Sequence, residues 1–277
     1  MTPALSVIIP ASNEGDFIDA CLQAVLASED VSLAVVVAAN GCTDDTAARA
    51  RTHIAAFAAR GWTLEVLDLP APGKPGALNA GDAAARHPDR AYLDADVTVT
   101  PPLLGQIARV LSATPDARYA SGQPRVAPAR SAVTRAYARF WVRLPFVARG
   151  VPGFGLYAVN AAGRARWTDF PEIISDDTFV RLSFAPHERV RLPASYTWPM
   201  VEGFARLVRV RRRQDQGVAQ VARQFPALPA NDDTPRPGPG WLLRQALRDP
   251  VGFGVYTAVG LAVRIGWRGQ SGWVRGR

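Results

Sequence analysis

Short apolar runs alternate with amphipathic segments along the first third of the chain. The apolar runs have the length of buried strands, and the segments between them carry apolar residues at helical spacing. Strands separated by helices need crossover connections, so the pattern predicts an α/β fold with a mainly parallel sheet flanked by helices. The predicted strands are 5–9, 33–39, 64–69 and 91–94, and the predicted helices are 15–28, 43–59 and 75–86.

Polar side chains follow the ends of these strands, where parallel α/β sheets bind their ligands. Glu14, Asn40, Asp94 and Asp96 all lie there. Asp94 and Asp96 are two residues apart, so an extended chain projects both to the same side. Two neighbouring carboxylates repel unless a cation compensates them, and Mg²⁺ usually takes one or two carboxylates together with phosphate oxygens. The pair therefore indicates a metal site, with a solvated turn as the alternative.

The segment 131–146 combines basic and aromatic residues. Arg135, Arg139 and Arg143 recur every four residues, so they lie on one face of a helix. Such a helix is typical either of a membrane interface or of an ordinary amphipathic protein surface. Elsewhere the patterns predict strands at 119–126 and 156–159 and helices at 101–113, from about 178, and at 202–225 as one helix or a pair.

The charge and the cysteines narrow the choice of partners and compartment. The 277-residue chain has 32 Lys and Arg residues against 24 Asp and Glu residues, a net charge of +8, and Lys74 is its sole lysine. This balance suits phosphate ligands or an anionic membrane surface, and no nucleic-acid partner is expected. Cys21 and Cys42 form no metal-ligand spacing and no disulfide framework, which favours the cytoplasm. No signal peptide is visible, and no apolar run reaches the ~18 residues that span a bilayer.

A set of motifs in a fixed order resembles the family 2 glycosyltransferases, which are inverting nucleotide-sugar enzymes of the GT-A fold. The resemblance covers about residues 4 to 225 and implies a GT-A type, Rossmann-like sheet with a helical C-terminal extension. The motifs are Pro10-Ala-Ser-Asn-Glu14, Asn40-Gly-Cys-Thr-Asp-Asp-Thr46, Gly73-Lys-Pro-Gly-Ala-Leu-Asn79, Asp94-Ala-Asp96, Gly153-Phe-Gly155, Ser175-Asp-Asp177 and the arginines from Arg209 to Arg213.

The resemblance also implies roles for individual residues. Asp177 is the expected general base, with Asp176 as its supporting neighbour, and Asp94 and Asp96 are the expected ligands of Mg²⁺ or Mn²⁺. Two positions depart from the family pattern: Asn40 stands where an aspartate often accepts a uracil N–H, and Gln214 or Asp215 stands where a tryptophan follows the arginines. The expected nucleotide-sugar ligands are Pro10, Ala11, Asn13, Glu14, Asn40, Lys74, Asn79, Asp94, Ala95, Gly153, Phe154, Gly155, Arg209, Arg212 and Arg213.

The C-terminal part divides by composition. We expect a catalytic domain at 1–225, a proline-rich linker or loop at 226–240 and an apolar, basic helical tail at 241–277. The tail joins an uncharged stretch, 251–263, to a mixture of tryptophan and arginine. It is therefore expected either to lie at the inner face of the cytoplasmic membrane or to pack on the protein's own core. The tryptophans and arginines in question are Arg264, Trp267, Arg268, Trp273, Arg275 and Arg277.

These features predict a metal-dependent, inverting glycosyltransferase. It is expected to move a sugar from a nucleotide-diphosphate sugar, with a UDP-sugar as the expected donor, to a hydroxyl acceptor that is lipid-linked or part of a surface glycan. Two other classes stay open from the sequence: a nucleotidyltransferase that makes the donor, and a non-catalytic nucleotide-sugar binding module.

Overall fold

The computed structural model describes residues 2–71 and 73–266, which form one eight-stranded sheet and twelve helices, besides two short 3₁₀ turns. The strands are β1 (Ala4–Ala11), β2 (Ser32–Asn40), β3 (Thr63–Leu69), β4 (Arg90–Leu93), β5 (Thr98–Val99), β6 (Tyr119–Val126), β7 (Leu156–Val159) and β8 (Arg189–Trp198). The helices are α1 (Ile18–Leu26), α2 (Thr46–Thr52), α3 (Ile54–Ala59), α4 (Lys74–Ala83), α5 (Leu103–Ser112), α6 (Ala132–Trp141), α7 (Pro145–Arg149), α8 (Ala161–Arg164), α9 (Asp176–Leu182), α10 (Phe204–Gln224), α11 (Pro239–Arg248) and α12 (Pro250–Arg264).

The sheet has the order β3-β2-β1-β4-β7-β6-β8-β5. Four neighbouring pairs are parallel, and three, those of β7 with β4 and β6 and of β5 with β8, are antiparallel. The predicted mainly parallel α/β fold is therefore confirmed. Strands β2, β1 and β4 are adjacent and parallel, so their carboxyl ends lie side by side at one edge of the sheet.

Both faces of the sheet are covered, which explains the near-continuous apolar runs of its central strands. Val7 and Ile9 of β1 belong to the core that contains α1 and α5, whereas Ile8 belongs to a second core. That second core also holds Leu78 of α4 and Tyr92 of β4. Alternate residues of one strand therefore anchor helices on opposite sides.

Several element boundaries differ from the predictions. The expected helix at 43–59 is two helices that meet at His53, and the one at 131–146 stops at Trp141 and resumes at Pro145. Pro145 explains the second break, because a proline has no amide hydrogen to donate and so starts a helix readily but interrupts a longer one. β8 was not predicted, because Pro193 and several polar residues hide its strand pattern.

The C-terminal helices pack on the rest of the fold. α12 lies against α6 and α10, and Val259 and Ala262 of α12 join a third core with Tyr137 of α6 and Val208 of α10. No helix in the described part of the chain is long and apolar enough to cross a membrane. The predicted interfacial residues from Trp267 onward lie outside the described residues.

Candidate active site

A cavity of about 590 Å³ opens at the carboxyl ends of β1, β2 and β4. Five carboxylates line it against two cationic side chains, in a protein whose overall charge is positive. The acidic ones are Glu14, Asp94, Asp96, Asp176 and Asp177, and the cationic ones are Lys74 and Arg213. The cavity is therefore acidic, and an anionic ligand needs an additional cation to enter it favourably.

Lys74 stands at the centre of this acidic group. It is the first residue of α4, and its ammonium lies 2.9 Å from Asp94 Oδ1 and 3.0 Å from Asp176 Oδ1. Burial opposes its charge, but the attraction of Asp176 and Asp94 prevails and raises the pKa of Lys74. The lysine thus stays cationic and ties the strand end at Asp94 to the start of α9.

Asp176 is held from two sides. Its side chain is buried at the first turn of α9, and Tyr157 of β7 donates its hydroxyl to Oδ2 at 2.9 Å. Lys74 contacts the other oxygen. Tyr157 is itself fixed between aromatic rings, with centroids 5.0 Å from Tyr92 and 6.2 Å from Tyr119. These contacts leave Asp176 little freedom to move.

Asp177 is less constrained than its neighbour. Its Oδ1 accepts the backbone N–H of Thr178 at 2.7 Å, and the residue is partly exposed at the cavity. Burial and the negative charge of Asp176 raise the pKa of Asp177 to about 6, while Lys74 counteracts part of that shift. A carboxylate of this kind can accept a proton from a weakly acidic hydroxyl near neutral pH.

Asp94 and Asp96 reach the cavity through a turn. β4 ends at Leu93, and the N–H of Val97 donates to the carbonyl of Asp94 at 3.0 Å, which closes a tight turn over 94–97. The two carboxylates therefore share the cavity, as expected, although strand alternation is not the reason.

Close backbone packing fixes this turn. The N–H of Asp94 donates to the carbonyl of Gly155 at 2.8 Å. Gly155 has φ +68°, and a Cβ there would lie 2.7 Å from Val97 Cγ2. Both observations explain why glycine is needed at this position.

The donor set of the acidic pair fits a hard divalent cation. Carboxylate oxygens are what Mg²⁺ and Mn²⁺ prefer, and Asp94 and Asp96 lie in one cavity. Among the described residues, no group of three or more such side chains is arranged to hold a metal by itself. A cation here would therefore complete its shell with ligand oxygens and water.

Asn40 links three segments rather than pointing freely into the cavity. Its amide nitrogen donates to the carbonyl of Ala11 at 2.9 Å, and its Oδ1 accepts the N–H of Gly73 at 3.0 Å. Asn13, which has φ +53°, accepts the N–H of Thr43 at 2.6 Å. These asparagines join the loop after β1 to the loops after β2 and β3.

Asn79 clamps a distant loop. Its Oδ1 accepts the N–H of Phe170 at 2.7 Å, and its amide nitrogen donates to the carbonyl of the same residue at 3.2 Å. Gly153 packs under the site with φ +75°, against the hydroxyl of Tyr119. Several of the predicted ligands are therefore not among the residues that line the cavity: Ala11, Asn13, Asn79, Gly153, Arg209 and Arg212.

An aromatic wall forms one side of the cavity. We use this name for Trp141, Phe146, Phe154 and Trp198, whose rings contact each other with centroids 5.3–6.2 Å apart. Phe154 and Trp198 line the cavity directly, together with Pro199 and Ile174. The cavity therefore has an apolar part beside its acidic group.

The long helix α10 brings Arg213 and Gln214 to the cavity. Its neighbour Arg211 is held elsewhere, by Asp215 at 3.0 Å and the hydroxyl of Tyr256 at 3.3 Å. Gly217 allows α10 to approach the loop before α9, since a Cβ there would lie 2.1 Å from Ser175 Oγ. The arginine cluster thus divides between the cavity and the packing of the C-terminal helices.

Sequence reasoning missed several of the lining residues. Ser12 and Ser175 stand inside motifs that were recognised, so their positions carried a signal. Trp198 ends the strand that was not predicted, and Tyr157 contacts Asp176 only through the tertiary fold. The missed lining residues are Ser12, Gly73, Ile174, Ser175, Trp198, Pro199, Val210 and Gln214.

Comparisons with known proteins define the class. The family model named glycosyl transferase family 2 matches residues 6–167, which is more than half of the chain. The chain is therefore a glycosyltransferase. It belongs to glycosyltransferase family 2. This membership favours the transferase over both alternative classes that the sequence left open.

Several solved structures share the fold of this chain. A mannosyltransferase from Pyrobaculum calidifontis, in complex with GDP-Man and Mn²⁺, aligns with a TM-score of 0.59 and 20% identity, over 98% of this chain and 77% of that one. Glucosyl-3-phosphoglycerate synthase from Mycobacterium tuberculosis, with Mn²⁺, UDP and glucosyl-3-phosphoglycerate, aligns with a TM-score of 0.56 and 19% identity over 80% of each chain. S. aureus TarS 1-349 with UDP aligns with a TM-score of 0.50 and 15% identity, over 99% and 95%. None of the curated proteins compared with this chain is significantly similar in sequence.

Proposed function

We propose that the chain transfers one sugar, with inversion, from a nucleotide-diphosphate sugar to a hydroxyl acceptor, with Asp177 as general base. The observation that carries this proposal is that one cavity contains both the acidic turn with Asp94 and Asp96 and the carboxylate of Asp177, whose pKa is raised. Similar folds bind UDP or GDP-Man, together with Mn²⁺ in two of them.

The donor would lie along the carboxyl edge of β1, β2 and β4. A divalent cation held by Asp94 and Asp96 would supply charge neutralisation for the diphosphate. Lys74 and Arg213 are the two cationic side chains within the cavity, and both suit phosphate oxygens. Since Lys74 now contacts Asp94 and Asp176, donor binding would compete with those ion pairs.

The transfer step follows from the position of Asp177. The acceptor oxygen attacks the anomeric carbon, the bond from that carbon to the diphosphate oxygen breaks, and the hydroxyl proton passes to Asp177. The nucleoside diphosphate leaves with the electron pair of the broken bond. Asp176 acts as a positioning residue, because Lys74 and Tyr157 hold its carboxylate in place.

The acceptor would enter along the aromatic wall. Phe154 and Trp198 line the same cavity as the acidic group, and aromatic rings suit a sugar ring or another apolar body that carries the hydroxyl. A lipid-linked or surface-glycan acceptor matches this surface. We propose a UDP-sugar as donor. The side-chain oxygen of Asn40, which would accept the uracil N–H, already accepts the N–H of Gly73, so the contact between Asn40 and the nucleotide base is the part of this proposal to test.

Real-time NMR of donor hydrolysis tests the reaction without a known acceptor. Purified protein is given UDP- and GDP-sugars with Mn²⁺ or Mg²⁺, and the anomer of the released sugar is read before it equilibrates. An α-linked donor should release the β-anomer first, and the chelator EDTA should stop the reaction. Release of the α-anomer would contradict the inverting mechanism, and undiminished turnover in EDTA would contradict the metal.

A further inference from the structure

The exposed side of the two C-terminal helices is apolar. Five of the eight large apolar side chains that the described residues leave exposed lie between 243 and 265. Two pairs of them are four residues apart, Leu243 with Leu247 on α11 and Leu261 with Ile265 at the end of α12, so each pair shares one side of its helix. They are Leu243 (64% exposed), Leu247 (78%), Val251 (62%), Leu261 (53%) and Ile265 (77%), and we call them the C-terminal face.

Arginines border this face. Arg244, Arg248 and Arg264 are exposed, and the one acidic residue between 239 and 266, Asp249, is buried. Asp249 is also engaged, since Arg139 of α6 and Arg143, two residues after that helix, lie 3.4 Å from its carboxylate. The border of the face is therefore positive, with no acidic side chain of its own helices to balance it.

From this arrangement we infer that the C-terminal face is a docking surface for an anionic membrane. Leucine and isoleucine side chains at a helix surface insert among acyl chains, and arginines beside them attract anionic head groups. A second copy of the chain is the poorer occupant, because two such faces would bring their arginines together without compensating acids. The inference concerns a surface outside the cavity and does not depend on the role of Asp96 or Asp177.

Aromatic contacts through α6 connect α12 to the aromatic wall of the cavity. Phe140 of α6 contacts Phe253 and Tyr256 of α12, with ring centroids 5.7 and 4.7 Å away. The next residue, Trp141, belongs to the aromatic wall of the cavity. Helix α6 thus links α12 to the aromatic wall.

The three arginines predicted to share a helix face at 131–146 make contacts within the protein. Arg135 donates to the backbone carbonyls of Ala129 and Arg130, and Arg139 and Arg143 pair with Asp249. Arg139 and Arg143 thus hold the segment 131–146 against α12. The sequence left a membrane contact open both for this segment and for the tail at 241–277, and the inference assigns it to α11 and α12 of the tail. Truncation after 240 would strip the packed side of α6, so point variants in the full chain are the cleaner test.

Cosedimentation with vesicles tests the apolar part of the face. The wild-type protein should bind mixed phosphatidylcholine and phosphatidylglycerol vesicles, and pure phosphatidylcholine vesicles much less. Leu261→Ser with Ile265→Ser should lower the partition coefficient at least about tenfold, since each lost apolar group weakens insertion. Ile54→Ser with Val218→Ser is the matched control, because those side chains are exposed elsewhere, at 42% and 49%.

A second pair of variants tests the charge. Arg244→Gln with Arg248→Gln should weaken binding by about fivefold per arginine, and about 1 M NaCl should abolish most of it, since the Debye length there is about 3 Å. Arg86→Gln with Arg223→Gln changes the net charge equally at exposed positions outside the face and should leave binding nearly unchanged.

Three results would overturn the inference. The first is equal vesicle binding by the Leu261→Ser, Ile265→Ser protein and its control. The second is binding that survives those changes but disappears when residues 267–277 are deleted. The third is a wild-type dimer in sedimentation equilibrium that the face variant dissociates, with no binding to vesicles, which would assign the face to a second copy. Circular dichroism of each variant establishes that it is folded.

Discussion

At the scale of single residues, Asp176 and Asp177 are neighbours in sequence with different surroundings. Asp176 is buried between Lys74 and Tyr157, whereas Asp177 reaches the cavity with only a backbone N–H on one oxygen. Asp177→Asn keeps the shape and should lower the transfer rate by about 10²–10⁴-fold, as loss of a general base does. Donor binding, measured by thermal shift, should persist, because the acidic turn and Lys74 are untouched.

Asp176→Asn is the informative partner variant. It removes a charged acceptor from Lys74 and Tyr157, so it should lower the free energy of unfolding by about 1–3 kcal/mol in urea denaturation. It should reduce the transfer rate less than Asp177→Asn does, because its role is to support the base. If Asp176→Asn were inactive while Asp177→Asn transferred normally, the roles of the two carboxylates would be reversed. If both variants kept full transfer, Glu172 would be the next residue to test.

The pH dependence of transfer should report the same carboxylate. Burial and the charge of Asp176 raise the pKa of Asp177 to about 6. A base works when deprotonated, so kcat should be constant well above pH 6 and should fall about tenfold for each unit below it. The profile is measured at saturating donor, and a plateau that continued down to pH 4.5 would contradict Asp177 as the titrating base.

At the scale of elements, Asp249 connects the C-terminal helices to the catalytic fold. It caps α12 by accepting the N–H of Gly252 at 2.9 Å, and it pairs with Arg139 of α6 and with Arg143 just after that helix. Asp249→Ala removes both interactions and should cost about 1–3 kcal/mol in urea denaturation, whereas Asp249→Asn keeps a capping side chain and should cost less. Equal losses in the two variants would show that the cap contributes nothing.

The sign of the pH effect at Asp249 can also be stated. The hydrogen bond from Gly252 and the two arginines hold the pKa of Asp249 below its usual value. A depressed pKa stabilises the folded state once the pH exceeds the unfolded-state value, and that contribution is lost as the pH falls through the lowered pKa. The difference in stability between wild type and Asp249→Asn should therefore shrink in acid.

The predictability of the elements follows from their environment. β1 and β2 were recognisable because both faces of the sheet are covered, which makes the strands continuously apolar. α4 was recognisable because Pro75 stands at its start. β8 is different: Pro193 lies within it, and its register with β6 shifts between Ser121 and Gln123, so no regular alternation survives in the sequence. The break at Leu144 was missed because helix periodicity continues across it, although Pro145 marked the place.

The residues of the candidate site also differ in how far the sequence predicts them. Asp94 was predicted to reach the cavity because it stands at a strand end, and Lys74 and Asp177 because their motifs resemble those of the family; all three line the cavity. Tyr157 and Trp198 carry no such signal, since their use depends on which strands become neighbours. Asn79 shows the opposite case: it stands in a motif, and the structure has its amide clamping the backbone of Phe170.

At the scale of the whole molecule, charge is distributed unevenly. The chain carries +8, yet the cavity has five carboxylates against two cations. The excess of arginine therefore lies mostly outside the cavity, part of it around the C-terminal face. A diphosphate approaching the protein would meet a favourable overall potential and then an acidic cavity, and the proposed divalent cation would resolve that conflict.

This conflict predicts how donor binding depends on metal. With nucleoside diphosphate at about 100 times its Kd, binding should stabilise the protein by about 2.7 kcal/mol, which raises Tm by several degrees. Mn²⁺ should be required for most of that rise, because without it the carboxylates repel the diphosphate. Asp96→Ala should lose the Mn²⁺-dependent rise while keeping the unliganded Tm near that of wild type.

The matched control is Asp68→Ala, which removes an exposed carboxylate that pairs only with Arg51 among the described residues. Its Mn²⁺-dependent rise should equal that of wild type, so a loss in Asp96→Ala reports the cavity and not the change in net charge. An undiminished rise in Asp96→Ala would exclude that carboxylate as a metal ligand. In that case removal of its negative charge would even favour the diphosphate, and binding without Mn²⁺ should strengthen.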